Sequence, residues 1–371
     1  MLQTTIAVAT CRRPVQFFAE PESPLAMRAV VIHAPHDLRI ETRPVAQPGS
    51  AQVRVSMRAG GICGSDLHYF HHGGFGTVRL REPMVLGHEV AGVIDAVGSG
   101  VSRLAIGDRV AVSPSLPCGH CRYCQAGQQQ HCLDMRFFGS AMRFPHVHGA
   151  FRESLVCEAV QAHPIADGAD FSEAAFAEPL AVCLHAAKRA GSLFGKRVLV
   201  TGCGPIGALA ILVARAAGAS EVVATDITPS ALAMARRLGA DMALDTAAEP
   251  DALKGFERDK GHFDVLLEAS GNQRALVGAL GALRPGAVIV QLGLGGDMTL
   301  PINLIVAKEL ELRGTFRFHE EFALAVDMIG RRAIDVRPLL TAALPIEQAK
   351  EAFELASDRT KAMKVQIAFG T

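Results

Sequence analysis

Four cysteines, Cys118, Cys121, Cys124 and Cys132, fall in a C-x2-C-x2-C-x7-C run. Four thiolates at that spacing close a tetrahedron around zinc and leave no position open for a substrate, so their chemistry is structural. Zinc binding of this kind supplies roughly 10 kcal/mol of folding free energy and would fix a loop. His120 and His131 lie close by and read as solvated loop histidines. A second, sparser set is Cys63, Ser65, Asp66, His68 and Tyr69 in GGICGSDLHYF, followed by Gly87-His88-Glu89. One cysteine and one histidine this far apart supply two zinc ligands, which leaves the metal open for a carboxylate and an exchangeable oxygen, as catalysis requires. Taken alone, these residues equally describe a buried cysteine and a helix-capping serine.

A third set is Gly202-Cys203-Gly204-Pro205-Ile206-Gly207, a G-x-G-x-x-G run. It is entered from the β-like KRVLVT and left through the apolar helix PIGALAILVARAAGA, and Asp226 closes EVVATD about 20 residues on. Glycines there permit a tight turn and the close approach of a pyrophosphate to the helix N-terminus, while the Asp226 carboxylate accepts from ribose hydroxyls. Its charge also opposes a 2′-phosphate. NAD is therefore expected over NADP, with Arg236 and Arg237, a helix away, as the residues that would favour NADP.

The elements that must position these residues come in two kinds. From Met27 to about Val160 the chain reads as short β runs split by turns: RAVVIHA, the alternating Val53–Met57, EVAGVIDAVG, then the Gly107-Asp108 turn into RVAV. From Ser172 the pattern becomes helix, strand, helix, beginning with one helix over SEAAFAEPLAVCLHAAKRAG and passing through FDVLLEAS and AVIVQLG. Strands alternating with helices of this length make a parallel, doubly wound sheet. After LELRGTF one more helix, EEFALAVDMIGRR, and the run KVQIAF return the chain to the first lobe. His71, His72, His146 and His148 read as solvated loop residues, and Cys157, Cys183 and Cys203 as small buried hydrophobes.

A chain of 371 residues is long enough for two or three domains and a core that needs no disulfides. Its longest uncharged apolar run, Val198–Val213, is broken by Gly202, Gly204, Pro205 and Gly207, which excludes a membrane span there. Lys+Arg and Asp+Glu cancel at 37 each, so no bulk field recruits nucleic acid or an anionic membrane, and a small molecule is the expected partner. Nine cysteines, four of them crowded together, suit metal in a reducing cytoplasm better than a secreted disulfide framework. The opening stretch to Ala26 carries Arg12 and Arg13 but no cleavage signal and reads as a dispensable extension.

Together the three sets, in this order, resemble the zinc-dependent medium-chain dehydrogenase/reductase family from Met27 to the end. CysGlySerAspLeuHisTyr and Phe-Ala-Glu178-Pro-Leu are most similar to its polyol dehydrogenase branch, which acts on sorbitol, xylitol, threonine and related substrates. That resemblance implies an α/β protein made of a GroES-like β-rich catalytic domain and a Rossmann domain. The expected division is an extension at 1–26, the catalytic domain at 27–180 with its structural zinc lobe, the NAD-binding domain at 181–316, and a C-terminal return at 317–371. It also implies a catalytic zinc held by Cys63 and His88, with Glu178 as the preferred third ligand and Glu89 as its competitor. Ser65 matches the hydroxyl that takes the alcohol proton, and His68 the imidazole that passes it to solvent. Tyr69 and Arg317 match substrate-pocket positions, while Phe318 replaces the tyrosine that follows this arginine in sorbitol dehydrogenases.

The expected reaction is hydride transfer from a secondary hydroxyl of a sugar acid or polyol to NAD, in a homo-oligomer of two or four copies. Arg317, with Arg143 as a second candidate, would supply a charge for a substrate carboxylate. The competing readings are a sorbitol, xylitol or threonine dehydrogenase and, from another class, a zinc-stabilised nucleotide-binding protein without turnover. Retention of Cys63, Ser65, His68, His88 and Glu178 together speaks against the last, since a protein without turnover has no physical need of a proton relay.

Overall fold

A computed structural model describes residues 25–370, so the expectation for residues 1–26 falls outside them except at Leu25 and Ala26. The strand Gln52–Gly61 shows how the first lobe forms. Its residues alternate between half-buried and buried up to Arg58, as a strand with one face on a core must, and its end is buried throughout. It sits centrally in a seven-stranded sheet, paired antiparallel with Glu89–Val97 and with Lys364–Ala368. The sheet continues through Arg109–Val112 to Ala162–Pro164 on one side and through Leu340–Pro345 on the other, and Ser154–Glu158 also pairs with Gln52–Gly61. Asp37–Pro44, Ala26–Ala34 and Met84–Val85 make a smaller sheet of three. Val53, Val55, Met57, Phe151, Phe353 and Ile367 fill the core between these layers.

The second lobe is a six-stranded parallel sheet. Its strands run in the order Met242–Asp245, Glu221–Asp226, Arg197–Thr201, Phe263–Glu268, Leu283–Gln291 and Glu311–Gly314. The first strand in sequence lies at the centre and the order reverses beside it, which is the doubly wound Rossmann arrangement and leaves a crevice at the carboxyl ends of the central strands. Helices Pro205–Ala216 and Ala177–Ala190 cover one face. The same apolar cluster takes in Ala59, Ala91 and Ala111 of the first sheet. Small side chains there let the helices approach closely, so one core joins the lobes.

Three sequence readings need correction. The helix expected from Ser172 is two, Phe171–Ala174 with an Asp170 cap and Ala177–Ala190. The break places Glu178 in the first turn of the second helix, and position 180 lies inside that helix. The stretch before KVQIAF, for which no element is expected, holds the strand Leu340–Pro345 and the helix Ala349–Ser357, which buries only Ala349, Ala352 and Phe353. His71 and His72 close the helix Gly64–His72 rather than a loop. His146 is buried, with Nε2 accepting from the Arg81 N–H and Nδ1 2.7 Å from the Arg143 carbonyl, because it braces the turn around Pro145. Among the described residues no helix is long and apolar enough to cross a membrane.

Candidate active site and metal centres

The strand Ser115–Leu116 leads into the cysteine lobe, and Arg136–Phe137 pairs back with it to close the loop. Between them one turn of helix, Arg122–Gln125, starts at Cys121 and sets Cys121 and Cys124 side by side. Their sulfurs are 3.6 Å apart, and Cys118 Sγ is 4.0 Å from Cys124 Sγ. A tetrahedron with Zn–S bonds of about 2.3 Å has edges of about 3.8 Å. All four sulfurs lie within 4.8 Å of one another, and none is in a disulfide. The Cys118 and Asp134 N–H groups point at Cys132 Sγ from 3.2 and 3.3 Å. Donors of this type favour thiolates: those of Cys124 and Leu133 hold the Cys121 thiol down to about 6. The set fits a closed four-sulfur zinc site. His120 turns to the Cys118 carbonyl, and His131 stacks on Phe316, so neither joins the cluster.

The second cluster is assembled from four distant segments. Cys63 is the N-cap of helix Gly64–His72, and its N–H donates to Asp66 Oδ2 at 3.0 Å. The other Asp66 oxygen accepts the Gly87 N–H at 3.1 Å and lies 3.7 Å from His88 Nδ1. One buried carboxylate thereby fixes both ligand-bearing loops. Cys63, His88 and Glu89 each bring a donor atom within 4.8 Å of the others. Glu178, first in preference for the third ligand on the sequence, is buried beside them without joining that trio. Burial pushes its carboxyl up to about 8, and the charges of Glu89 and Cys63 add to the effect.

Lys364, at the start of the returning strand, is buried against Glu89 Oε2 as an ion pair. A side chain at Gly61 would place its Cβ 2.1 Å from that oxygen and 3.0 Å from Lys364 Cε, so only glycine admits the pair. Glu89 Oε1 and His88 Nδ1 are buried without hydrogen-bond partners among the described residues. Thiolate and carboxylate groups buried around the single ammonium of Lys364 leave the site short of positive charge, which a zinc ion would supply. Neutral imidazole, thiolate and carboxylate are also donors of the type zinc takes in catalytic sites. The sequence reading names Asp66 within this set without giving it a role, and Lys364 not at all. Asp66 stood three positions after Cys63, where a capping carboxylate belongs; Lys364 carries no local signal at all.

Ser65 follows Cys63 by two residues, in the first turn of the helix that Cys63 caps. His68 is exposed one turn on, over His72 and Phe75. Burial, with His72 and Arg359 adding, holds it below the ordinary histidine range, so it is neutral near pH 7. The Tyr69 hydroxyl accepts the Ala141 N–H at 2.9 Å and braces the segment that carries Met142. The Arg317 guanidinium lies over Phe137 and Phe316, 4.5 and 4.9 Å from the ring centres, and Nη2 meets Met142 Sδ at 2.9 Å. It has no carboxylate partner among the described residues. Its backbone is left-handed (φ 54), an unfavourable state for a non-glycine residue. Arg143, the second candidate cation, is engaged by Asp134. Phe318 is fully buried against Phe322 in the core, so its missing hydroxyl concerns packing rather than the pocket.

In the Rossmann crevice, Gly202 (φ 82) comes so near Ser270 that a Cβ would sit 2.7 Å from its backbone. A Cβ at Gly207 would sit 1.7 Å from the Gly202 carbonyl oxygen. Gly204 is the N-cap and Pro205 the first residue of helix Pro205–Ala216, with Ile206 behind it. Asp226 accepts N–H bonds from Cys203 (2.6 Å), Ile227 (2.7 Å) and Thr228 (2.8 Å), which aims its carboxylate at the glycine turn. Of the two arginines considered for a 2′-phosphate, Arg236 is tied to the Ala243 carbonyl. Glycine cradle, open helix N-terminus and acceptor together fit a dinucleotide.

These features define a zinc- and NAD(P)-dependent dehydrogenase. Residues 49–167 match the alcohol dehydrogenase GroES-like domain, and residues 205–331 match the zinc-binding dehydrogenase family. The chain is 44% identical over 316 residues, 85% of its length and 91% of the relative's, to L-idonate 5-dehydrogenase (NAD(P)(+)) of Escherichia coli (strain K12). It is 36% identical over 336 residues to sorbitol dehydrogenase of Homo sapiens, covering 88% of this chain and 91% of that one. The solved structure of the Escherichia coli L-idonate 5-dehydrogenase superimposes with a TM-score of 0.88 at 40% identity, over 93% of this chain and 99% of the other. This chain belongs to the zinc-binding alcohol dehydrogenase family, and within it to the polyol-type dehydrogenases.

Proposed function

We propose that this chain oxidises a secondary hydroxyl of an open-chain sugar acid, first of all L-idonate, with NAD as the hydride acceptor. The observation that carries the choice of an acid is Arg317, a half-buried guanidinium that makes no ion pair among the described residues and lies over Phe137, whose ring is 5.5 Å from that of His88. A charged group so placed is costly unless a ligand brings the opposite charge. A carboxylate forms the charge-assisted bonds that a neutral polyol cannot.

Cys63, His88 and Glu89 would hold the zinc, with the Glu178 carboxyl buried beside them. Zinc supplies the field that makes a bound hydroxyl acidic near neutral pH. Ser65 takes the hydroxyl proton. His68, neutral and exposed, receives it and releases it to solvent. The two do not hydrogen-bond to each other, so a bridging hydroxyl or water joins them. Asp226 selects NAD by accepting from the ribose and repelling a 2′-phosphate. The work divides along the chain, with 27–180 and 317–371 serving metal and substrate and 181–316 serving the dinucleotide.

Two copies pair through the strand Glu311–Gly314. It is an open parallel edge bordered by exposed Leu312 (49%), Ile302 (59%) and Val306 (69%), a surface that a soluble monomer rarely leaves uncovered. Thiolates at the cysteine lobe suit a reducing cytoplasm.

The test is NADH formation with idonate, gluconate, sorbitol, xylitol and threonine. Idonate is expected to give the highest kcat/KM. Higher efficiency on sorbitol or threonine would overturn the substrate, and no turnover on any of them would favour a nucleotide-binding protein without catalysis. Light scattering of the protein and of Leu312→Arg tests the pairing, which fails if both have the same mass.

A further inference from the structure

A cavity of about 240 Å³ lies against the cysteine lobe. Cys132 and Asp134 of the lobe form one wall, Met142, Arg143 and Arg317 the other, and Phe137 lies between them. Cys132 is at once a donor of the four-sulfur site and a lining residue. Its sulfur receives the Asp134 N–H, so a metal on that sulfur also holds the turn that carries Asp134. Asp134 pairs with Arg143 at the rim and is thereby neutralised, leaving Arg317 as the unpaired cation of the cavity.

The lobe also reaches Arg317 along a second line. His131 stacks on Phe316, with ring centres 6.2 Å apart and planes 13° apart. The Arg317 guanidinium lies over both the Phe316 and the Phe137 ring, and the Phe137 ring is 5.5 Å from that of His88. Arg317 has no ion pair to fix it, and its backbone is in an unfavourable state. Two aromatic rings therefore hold it, and one of them rests on the lobe.

We infer that the four-cysteine lobe is a specificity element: it positions Arg317, and its metal-bound order is thermodynamically linked to occupancy of the cavity by the anionic end of the substrate. The inference rests on the reading of Arg317 as the carboxylate site. Linkage is reciprocal. If an ordered lobe favours the acid, the acid must favour the ordered lobe by the same factor, whether or not the reaction proceeds.

The experiment uses the zinc-loaded enzyme without NAD, so that nothing turns over. A chelator and a thiol-alkylating reagent are added with saturating idonate, saturating sorbitol or neither. Peptide mass spectrometry follows the modification of Cys121 and Cys132 separately from Cys63. Idonate is expected to slow labelling of the lobe cysteines about five-fold or more, and sorbitol is not. His131→Ala removes the stack without touching a zinc donor, and Phe316→Leu keeps the bulk should that variant fold poorly. Either is expected to abolish the protection and raise KM for idonate while kcat on a neutral polyol is retained. Should labelling be unaffected by idonate in an enzyme whose KM for idonate still depends on Arg317, the linkage is wrong and the substrate assignment stands. Should Arg317→Met leave idonate kinetics unchanged, the substrate assignment itself is wrong.

Discussion

The two metal centres are built in opposite ways. The lobe takes all its donors from the stretch between Cys118 and Cys132, where one turn of α-helix and one 3-10 turn are the only regular structure. The catalytic cluster draws on a helix N-cap, the start of a strand, the first turn of another helix and a C-terminal strand, all anchored in the two large apolar cores of the molecule. Metal therefore organises the first site, whereas the fold organises the second. A donor lost from the lobe should cost structure. A donor lost from the catalytic cluster should cost chemistry.

The sharpest break of this contrast is Cys63→Ser against Cys121→Ser. Losing a catalytic ligand removes several kcal/mol of transition-state charge stabilisation, so Cys63→Ser should lower kcat by about three orders of magnitude with melting temperature nearly unchanged. Cys121→Ser should lower the melting temperature and lose one zinc per chain on metal analysis. A single zinc in the fully active, fully loaded enzyme would remove the contrast altogether.

Next in size is the buried ion pair that makes the catalytic site part of the fold. Lys364→Met strands Glu89 as an uncompensated buried charge, which costs about 3–5 kcal/mol in the metal-free protein. Zinc supplies part of the missing positive charge, so the gap between metal-free and zinc-loaded melting temperatures should widen. An unchanged gap would mean that Lys364 does not answer to the metal site. Gly61→Ala should be damaging in the same place, since its Cβ would overlap the Glu89 carboxylate.

Smaller effects come from the sites that read the two organic partners. Arg317→Met should cut kcat/KM for idonate by about ten- to a hundred-fold, the worth of charged hydrogen bonds, and should spare a neutral polyol. Equal losses on both would give Arg317 a hydroxyl-binding or structural role. Asp226→Ser should weaken NAD about ten-fold and raise the NADP to NAD ratio. A parent enzyme that already favours NADP would exclude that account of cofactor choice.

The sequence by itself determined whatever depends on neighbours in the chain. Cysteine spacing sets the geometry of the lobe, because a few residues of turn allow few ways to arrange four sulfurs. The glycine run, the strand before it and the helix after it specify the dinucleotide crevice for the same reason, and so did the change of apolar period that separates the two lobes. Phe318 shows the opposite limit: adjacent to Arg317 in sequence, it is fully buried against Phe322 in the core, and nothing local to it separates it from the pocket. Only the tertiary structure decided that Glu89 joins Cys63 and His88, with Glu178 held beside them, and that Lys364 completes the charge. Their separation along the chain carries no spacing signal, and Coulomb interaction in a buried site depends on distance in space and on what else is buried there.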